Sequence, residues 1–534
     1  MSPELARTDQ PAPARSQQGM VVSPHTLASR AGVWVLRQGG GAVDAAIATH
    51  AALSVVYPHM TGLGGDAFWL IHEASTRQQY GLNGSGWAAQ SATLDYYQGC
   101  AQIPQRGPQA AITVPGALDS WWQAHQRFGK LPWVELFKPA VQLASQGYPL
   151  SASQARWTQK DRALLEQYGG ADPFLPGGEV PRQGTLVKNM ALARVLSAIA
   201  TKGIDIFYKG EIAQRIVDCL GAQCGLLSRA DLANYRSNWV TPIKTTYRDR
   251  TLYELPPNTQ GLAVLEMLNI IEPFDLLKMG PDSADYYHLM VEATKLAFCD
   301  RDRWLGDPDF VDIPVETLIS KAYADRRRAR LSMSYAQQPQ AAPIGGDTVY
   351  AAVVDRDGNA VSTIQSLYFD YGCGIVPPGL GFVLNNRGSL FSLEPDHANV
   401  LAPGKRPFHT LIPALALAGD RLDLVFGTMG GEGQPQTQLA LLTRVLDFGF
   451  DLQTAVNLPR WRWGRTWGDA SAELVVENRI STEVRRELSH RGHAVRATTD
   501  WSDELGHAHM IRRLADGSLE GACDPRSDGI AVGV

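Results

Sequence analysis

The segment Gly345-Gly346-Asp347-Thr348-Val349-Tyr350-Ala351-Ala352-Val353-Val354-Asp355 constrains the fold more than any other part of the chain. Every residue from Val349 to Val354 is apolar or aromatic. Such a run suits a strand buried on both faces rather than one with a wet side. Gly345 and Gly346 give it a permissive approach. Asp357-Gly358-Asn359 supplies turn chemistry, and Ala360 to Tyr368 reads as the returning strand. The Thr348 hydroxyl therefore sits at the head of a buried hairpin. A threonine there reads either as a plain β-former or as the nucleophile of a chain that cuts itself before Thr348.

The rest of the sequence sets bounds on that choice. Its 534 residues are 44% hydrophobic and 19% charged, an ordinary globular balance, so the length fits several domains or one continuous body. A net charge of −5 and the lack of any basic stripe speak against a nucleic-acid partner. Arg326-Arg327-Arg328 is short and reads as a solvated helix face. Cys100, Cys219, Cys224, Cys299, Cys373 and Cys523 are scattered and form no CxxC or His/Cys metal spacing. Neither a disulfide framework nor a metal follows, and no organic cofactor is indicated. His25, His59 and His409 are not at ligand spacing either. Met1 to Gln18 is polar and Pro-rich with no apolar h-region, so it reads as a flexible tail rather than a secretory signal. No apolar run reaches membrane-spanning length. The expectation is a soluble, cytoplasmic protein with no membrane partner.

In chain order, Ser23-Pro24 opens a helix that Gly39-Gly40-Gly41 stops, and a second helix spans Val43 to Val56. Thr61-Gly62-Leu63-Gly64-Gly65-Asp66 fits neither a phosphate loop nor a dinucleotide fingerprint. It reads as tight backbone packing before a strand from Ala67 to Ile71. Trp121 and Trp122 belong to a core-facing helix. Residues 150 to 250 read as mainly helical. Ala284 to Asp300 reads as an amphipathic helix with Tyr286, Leu289, Ala293 and Leu296 inward. Asp300-Arg301-Asp302-Arg303 closes it with capping and surface ion pairs. Residues 336 to 344 turn to Gln, Pro and Ala, the exposed approach that a processing site needs. Strands follow at 349–354, 360–368, 381–384, 422–426 and 473–476, with helices near 436–448 and 482–491.

On Gly39 to Ala46, Thr61 to Asp66, Pro256 to Gly261, Glu292 to Pro308 and Thr348 to Ala360, the chain resembles the γ-glutamyltranspeptidase family of N-terminal-nucleophile hydrolases. Leu384 to Asn386, Lys405-Arg406-Pro407, Met429-Gly430-Gly431 and Asp524-Pro525-Arg526-Ser527 continue the likeness in family order over nearly the whole chain. The resemblance implies an α+β fold, a four-layer αββα sandwich. It also implies a proenzyme cut between Asp347 and Thr348. Residues 1–18 would be the tail, 19–347 the large chain, and 348–534 the small chain headed by the nucleophile. The two chains would stay together as one unit, and a dimer of such pairs is left open. A threonine hydroxyl needs a base, and a free α-amine on the same residue, titrating near pH ~8, can serve. Before cleavage no such amine exists, so processing switches the enzyme on. The hydroxyl attacks the Asp347 carbonyl first and a substrate amide later, giving an acyl-enzyme. Ser366 matches the position whose hydroxyl bonds the nucleophile, or is a plain strand serine. Gly430 and Gly431 match the oxyanion hole, or form a turn after the strand ending near Gly427. Asn359 and Asn386 serve turns and backbone.

The γ-glutamyl pocket departs from the family. Leu94 stands where the transpeptidases carry the arginine for the substrate α-carboxylate. Tyr368, Arg387 and Leu390 stand where they hold the α-amine with Asn, Gln or Glu, and Asp. His409 and Thr410 replace paired serines, and the loop between Ser392 and Lys405 is shorter. Losing an acid and gaining an arginine removes an ammonium site and creates a fork for carboxylate. A surface ion pair is the other reading of Arg387. The substrate is thus a small-molecule amide whose acyl part is anionic and lacks an α-amine, bound by Arg387, Tyr368, His409 and Thr410. Two branches of the family fit, cephalosporin acylases that remove a glutaryl-type chain and oxamate amidohydrolases of purine and ureide breakdown. Leu94, Leu390 and Tyr368 favour the small substrate, oxamate, cut to oxalate and ammonia. A γ-glutamyltransferase or glutathione hydrolase stays open as well, and so does an inactive binding scaffold. Intact Thr348, Ser366, Gly430 and Gly431 speak against the scaffold.

Overall fold

The computed structural model describes residues 12–337, 347–464 and 471–534. Two seven-stranded sheets form its centre. The strands used below are β1 (Ala14–Ser16), β2 (Gly19–Ser23), β3 (Asp66–Glu73), β4 (Gln78–Gly84), β5 (Asn238–Val240), β6 (Ile243–Tyr247) and β7 (Arg250–Glu254). They continue with β8 (Asp347–Asp355), β9 (Ala360–Tyr368), β10 (Ala414–Ala418), β11 (Arg421–Thr428), β12 (Ala508–Arg513), β13 (Leu519–Cys523) and β14 (Ile530–Gly533). One sheet runs β1-β13-β12-β11-β10-β7-β6, and the other β14-β2-β8-β9-β3-β4-β5.

Alternation along each strand splits the side chains between layers. Tyr350, Ala352 and Val354 of β8 join Phe68, Leu70, Ile364, Leu415, Val425 and Ile511 in the core between the sheets. Val349 and Val353 face the other way, onto a helical layer that includes α1 (Thr26–Arg37) and α2 (Ala42–Val56). Leu252, Ala416, Leu424, Phe426 and Met510 face a second helical layer. That layer contains α3 (Gly261–Ile271), α4 (Ala284–Trp304) and α5 (Gly433–Leu446). The architecture is the four-layer αββα sandwich that the resemblance implied, and the doubly buried reading of 349–354 holds. Strands from both sides of residue 347 enter both sheets, so the chain on either side of that point belongs to one core.

Several expectations are corrected. Residues 1–11 of the expected tail lie outside the described residues, but Ala14–Ser16 is a strand paired with Leu519–Gly521 rather than tail. The strand at 381–384 is absent, because Leu384 makes only an isolated bridge to Gly64. The stretch from 150 to 250 is mainly helical as expected, with β5 and β6 near its end. Most of the linker at 336–344 lies outside the described residues. At its start Ala336 is buried, with its N–H on the Arg491 carbonyl, so the chain there is docked rather than exposed. Arg301 is buried rather than superficial. Among the described residues no helix is long and apolar enough to cross a membrane.

Candidate active site

Three neighbouring strand ends converge in the second sheet. β8 and β9 pair in register except for a bulge between the pairs Asp347–Tyr368 and Val349–Gln365, which sets Thr348 opposite Ser366 and Leu367. A bulge of this kind re-aims side chains at the end of a ladder. On the far side of β9, Ser366 pairs with Asp66, the first residue of β3. Thr348 shares strand parity with Tyr350, Ser366 with Ile364, and Asp66 with Phe68, so all three belong to the face that looks at the other sheet. Gly65 allows this convergence, because a Cβ there would lie 2.3 Å from the Ser366 carbonyl oxygen. The expected role of the Thr61–Asp66 turn in close backbone packing is thereby met.

The opposite sheet contributes Gly430 and Gly431, just beyond the end of β11. A Cβ on Gly427 would lie 2.3 Å from the Tyr350 ring, so the two sheets touch here and bring the turn to the head of β8. Both glycines have positive φ, 126° and 52°, which side-chain-bearing residues rarely adopt. Their N–H groups have no acceptor among the described residues. The Thr348 Oγ1 is likewise buried with no hydrogen-bond partner among the described residues.

Arg387 is fully buried, which removes the surface ion-pair reading. Its Nη2 donates to Ser366 Oγ at 3.0 Å and its Nη1 to Thr410 Oγ1 at 3.3 Å. Its Nε has no hydrogen bond among the described residues, and lies 3.9 Å from Asp66 Oδ2. The guanidinium carbon sits 4.4 Å from the Tyr368 ring centroid, and Tyr368 stacks on Phe369 at 4.4 Å. Tyr368 has φ +84° and sends its N–H back to Ser366 Oγ at 2.7 Å. Leu390 is buried in the same apolar wall. Leu94 is half-buried and packs against the helical core on the other side of the molecule's sheet pair. The buried guanidinium is therefore bordered by aromatic and aliphatic groups.

His409 is linked to Arg387 through Asp66. The Leu411 N–H donates to its Nδ1 at 3.4 Å, so Nε2 carries the proton and donates to Asp66 Oδ2 at 3.2 Å. Burial, and then the Arg387 charge, hold His409 well below the usual histidine range, so the ring is neutral. Burial pushes the Asp66 carboxyl up to about 6, against the pull of Arg387 and of the Gly86 N–H. Burial likewise lowers Arg387 to about 10, opposed by Asp66, and the guanidinium stays charged at neutral pH.

Asp66 lies at these strand ends beside Arg387 and was not assigned by sequence reasoning. The signal for Asp66 was a carboxylate placed at the start of an otherwise apolar strand. Asn386 does what was expected of it, taking the Phe369 N–H at 3.0 Å and donating to the Gln105 carbonyl at 2.7 Å. Away from the site, His288, Glu292 and His493 offer ligand atoms within 4.8 Å of one another. They are already satisfied. His288 Nδ1 bonds His493 Nε2 at 2.8 Å, and the Glu292 oxygens take Lys295 Nζ and the Gln337 N–H at 2.7 and 3.1 Å. A cation there would have to displace a buried ammonium.

The arrangement brings a buried hydroxyl, a second hydroxyl bonded to a buried guanidinium, and a turn whose two glycine N–H groups have no acceptor among the described residues to neighbouring strand ends, groups of the types that acyl transfer uses. The family model described as gamma-glutamyltranspeptidase matches residues 28–534. The glutathione hydrolase-like YwrD proenzyme of Bacillus subtilis is 45% identical over 96% of this chain and 98% of its own. The oxamate amidohydrolase proenzyme of Klebsiella pneumoniae is 42% identical over 97% of this chain and 99% of its own. Among solved structures, a cephalosporin acylase from Bacillus halodurans superposes with a TM-score of 0.92 at 36% identity, covering 98% of this chain and 97% of that one.

Proposed function

The chain belongs to the γ-glutamyltranspeptidase family, and from that premise we propose that it is a self-processing amidohydrolase whose nucleophile is Thr348 and whose substrate is oxamate. The relatives are named as proenzymes, in keeping with cleavage between Asp347 and Thr348 into a large chain, 19–347, and a small chain, 348–534. The freed α-amine of Thr348 takes the proton of its own hydroxyl, and Ser366 hydrogen-bonds that hydroxyl. The oxygen adds to the substrate amide carbon, and the developing oxyanion is received by the N–H groups of Gly430 and Gly431. Ammonia leaves with a proton returned by the α-amine, and water hydrolyses the acyl ester by the same route.

One observation carries the choice of substrate. Arg387 donates directly to Ser366 Oγ at 3.0 Å, so the cation lies beside the reacting atoms rather than at the far end of a long pocket. A carboxylate held by Arg387 must therefore be bonded to the scissile carbonyl or nearly so, as it is in oxamate. A γ-glutamyl group would also need an anion for its ammonium, and here Tyr368 and Leu390 close that side. Two of the relatives bear on the choice, because one is named for oxamate and another as a cephalosporin acylase. The acylase reading is favoured by the close superposition, but a glutaryl chain puts its carboxylate several bonds from the amide, out of reach of Arg387 at Ser366.

Arg387→Ala tests the assignment. We expect KM for oxamate to rise at least ~30-fold, as suits loss of a charge-assisted bidentate contact. Arg387→Lys, a point charge without the fork, should fall between. An unchanged KM in both variants contradicts the role given to Arg387.

A further inference from the structure

Glycines with positive φ are conformationally free, so two of them in succession cannot by themselves hold N–H groups on a developing charge. The Gly430 carbonyl is tied by the Gly433 N–H at 2.8 Å. The Gly431 carbonyl is tied by the Gln434 N–H at 3.3 Å, a long contact, and by Gln260 Nε2 at 3.0 Å. The same Nε2 donates to the Thr410 carbonyl at 2.8 Å. Gln260 is fully buried and comes from the loop before α3, outside both sheets. Its backbone N–H also bonds the His409 carbonyl at 3.1 Å. One side chain therefore joins the turn beyond β11 to the strand-like segment that presents Thr410 to Arg387.

Its orientation is fixed from behind. Arg301 Nη1 donates to Gln260 Oε1 at 3.2 Å, so the amide oxygen points to Arg301 and both amide hydrogens point to the two carbonyls. A flipped amide would set its oxygen against both. Arg301 is itself held by Glu432 at 3.4 Å and by Asp302, with its guanidinium carbon 3.8 Å from the Phe298 ring centroid. Glu432 directly follows Gly431, so the network closes back on the turn.

We propose that Gln260, oriented by Arg301, is a positioning residue that aims the Gly430–Gly431 N–H groups at the reacting carbonyl and couples them to the Thr410 side of the pocket. This rests on the oxyanion role of the two glycines and not on the identity of the acyl group. Donation to the Gly431 carbonyl anchors the peptide plane between Gly431 and Glu432, while the Gly433 N–H holds the preceding plane, which carries the Gly431 N–H, so the turn is pinned from both sides of Gly431. The interaction matters most when charge develops, so its loss falls on kcat and leaves substrate binding nearly as it was.

The test uses Gln260→Met, which keeps the length and removes both donated hydrogens, and Gln260→Glu, which keeps the shape and removes at least one, with Arg301→Lys as a milder loosening. Turnover is measured with whichever of oxamate, a glutaryl anilide and a γ-glutamyl anilide the wild type cleaves, so failure of the substrate proposal does not touch the result. Rates are taken per processed small chain, after thermal melting confirms folding. The expected result is a kcat lower by ~10- to 100-fold in both Gln260 variants, with KM within threefold, and a smaller fall of the same kind in Arg301→Lys. Wild-type kcat per processed chain in folded variants, or a loss confined to KM, overturns the proposal. If neither Gln260 variant folds, Arg301→Lys decides it, and an unchanged kcat there overturns it.

Discussion

At the scale of single residues, the site is decided by how one buried charge is balanced. Among the described residues Arg387 has only Asp66 near enough to offset it, and Asp66 is shared with a neutral His409. Because burial raises Asp66 to about 6, its charge is present above that pH and lost below it. The folded chain binds this proton more tightly than the unfolded chain does. Asp66 therefore subtracts from stability, increasingly as pH rises from about 4 to about 6. For an anionic substrate the consequence is opposite to the usual acid loss of binding. We expect KM for oxamate to fall severalfold from pH 7.5 to pH 5.5, as protonation of Asp66 leaves Arg387 unopposed, and to stay low throughout in Asp66→Asn. A KM that is flat in the wild type, or that rises on acidification, contradicts this balance. Sequence reasoning reached Arg387 because a cation replaced a polar residue at one position. It could not reach the Asp66 partnership, which depends on β3 and β9 lying side by side. It misread Arg301 for a related reason. Alternating acids and bases at a helix end look like a wet surface, and only the packing of α4 against the loop before α3 shows one of them to be buried.

At the scale of elements, the site rests on strands that end in step and on sheets that touch where Gly427 meets the Tyr350 ring. The hairpin of β8 and β9 was readable from an apolar run and a turn, and β9 has the expected limits, Ala360–Tyr368. The bulge beside Thr348 was not, since nothing in the side-chain pattern distinguishes one residue opposite two from a regular ladder. The stretch at 381–384 failed in the other direction. Its residues are apolar and buried, but among the described residues only the bridge from Leu384 to Gly64 runs beside them, and apolar burial does not by itself make a ladder. Contact between β3 and β9 rests on Gly65. In Gly65→Ala the new methyl group meets the Ser366 carbonyl, and the strand must shift. We expect a folded protein, destabilised by about 1–3 kcal/mol, with kcat reduced at least tenfold because Ser366 moves relative to Thr348. Thermal melting and steady-state rates on the same preparation check this. Normal kcat with normal stability would mean that the convergence at Ser366 is looser than its geometry.

At the scale of the whole molecule, the αββα sandwich was legible through the resemblance, because motifs in family order run along nearly the whole chain. The same sandwich explains how one covalent cut leaves one body. Strands from before and after residue 347 enter both sheets, so the products of a cut there would share both sheets of the core. The central claim is that Thr348 becomes the nucleophile of a small-amide hydrolase. Its most direct test is ammonia release from oxamate, run beside glutaryl and γ-glutamyl anilides, on wild type and Thr348→Ala, with the chain masses recorded. The account predicts two chains in the wild type, the smaller beginning at Thr348, and turnover of oxamate but not of the anilides. It predicts one uncut, inactive chain in Thr348→Ala. Oxamate turnover that survives in Thr348→Ala would contradict the nucleophile, and turnover of the anilides with oxamate untouched would contradict the pocket built around Arg387.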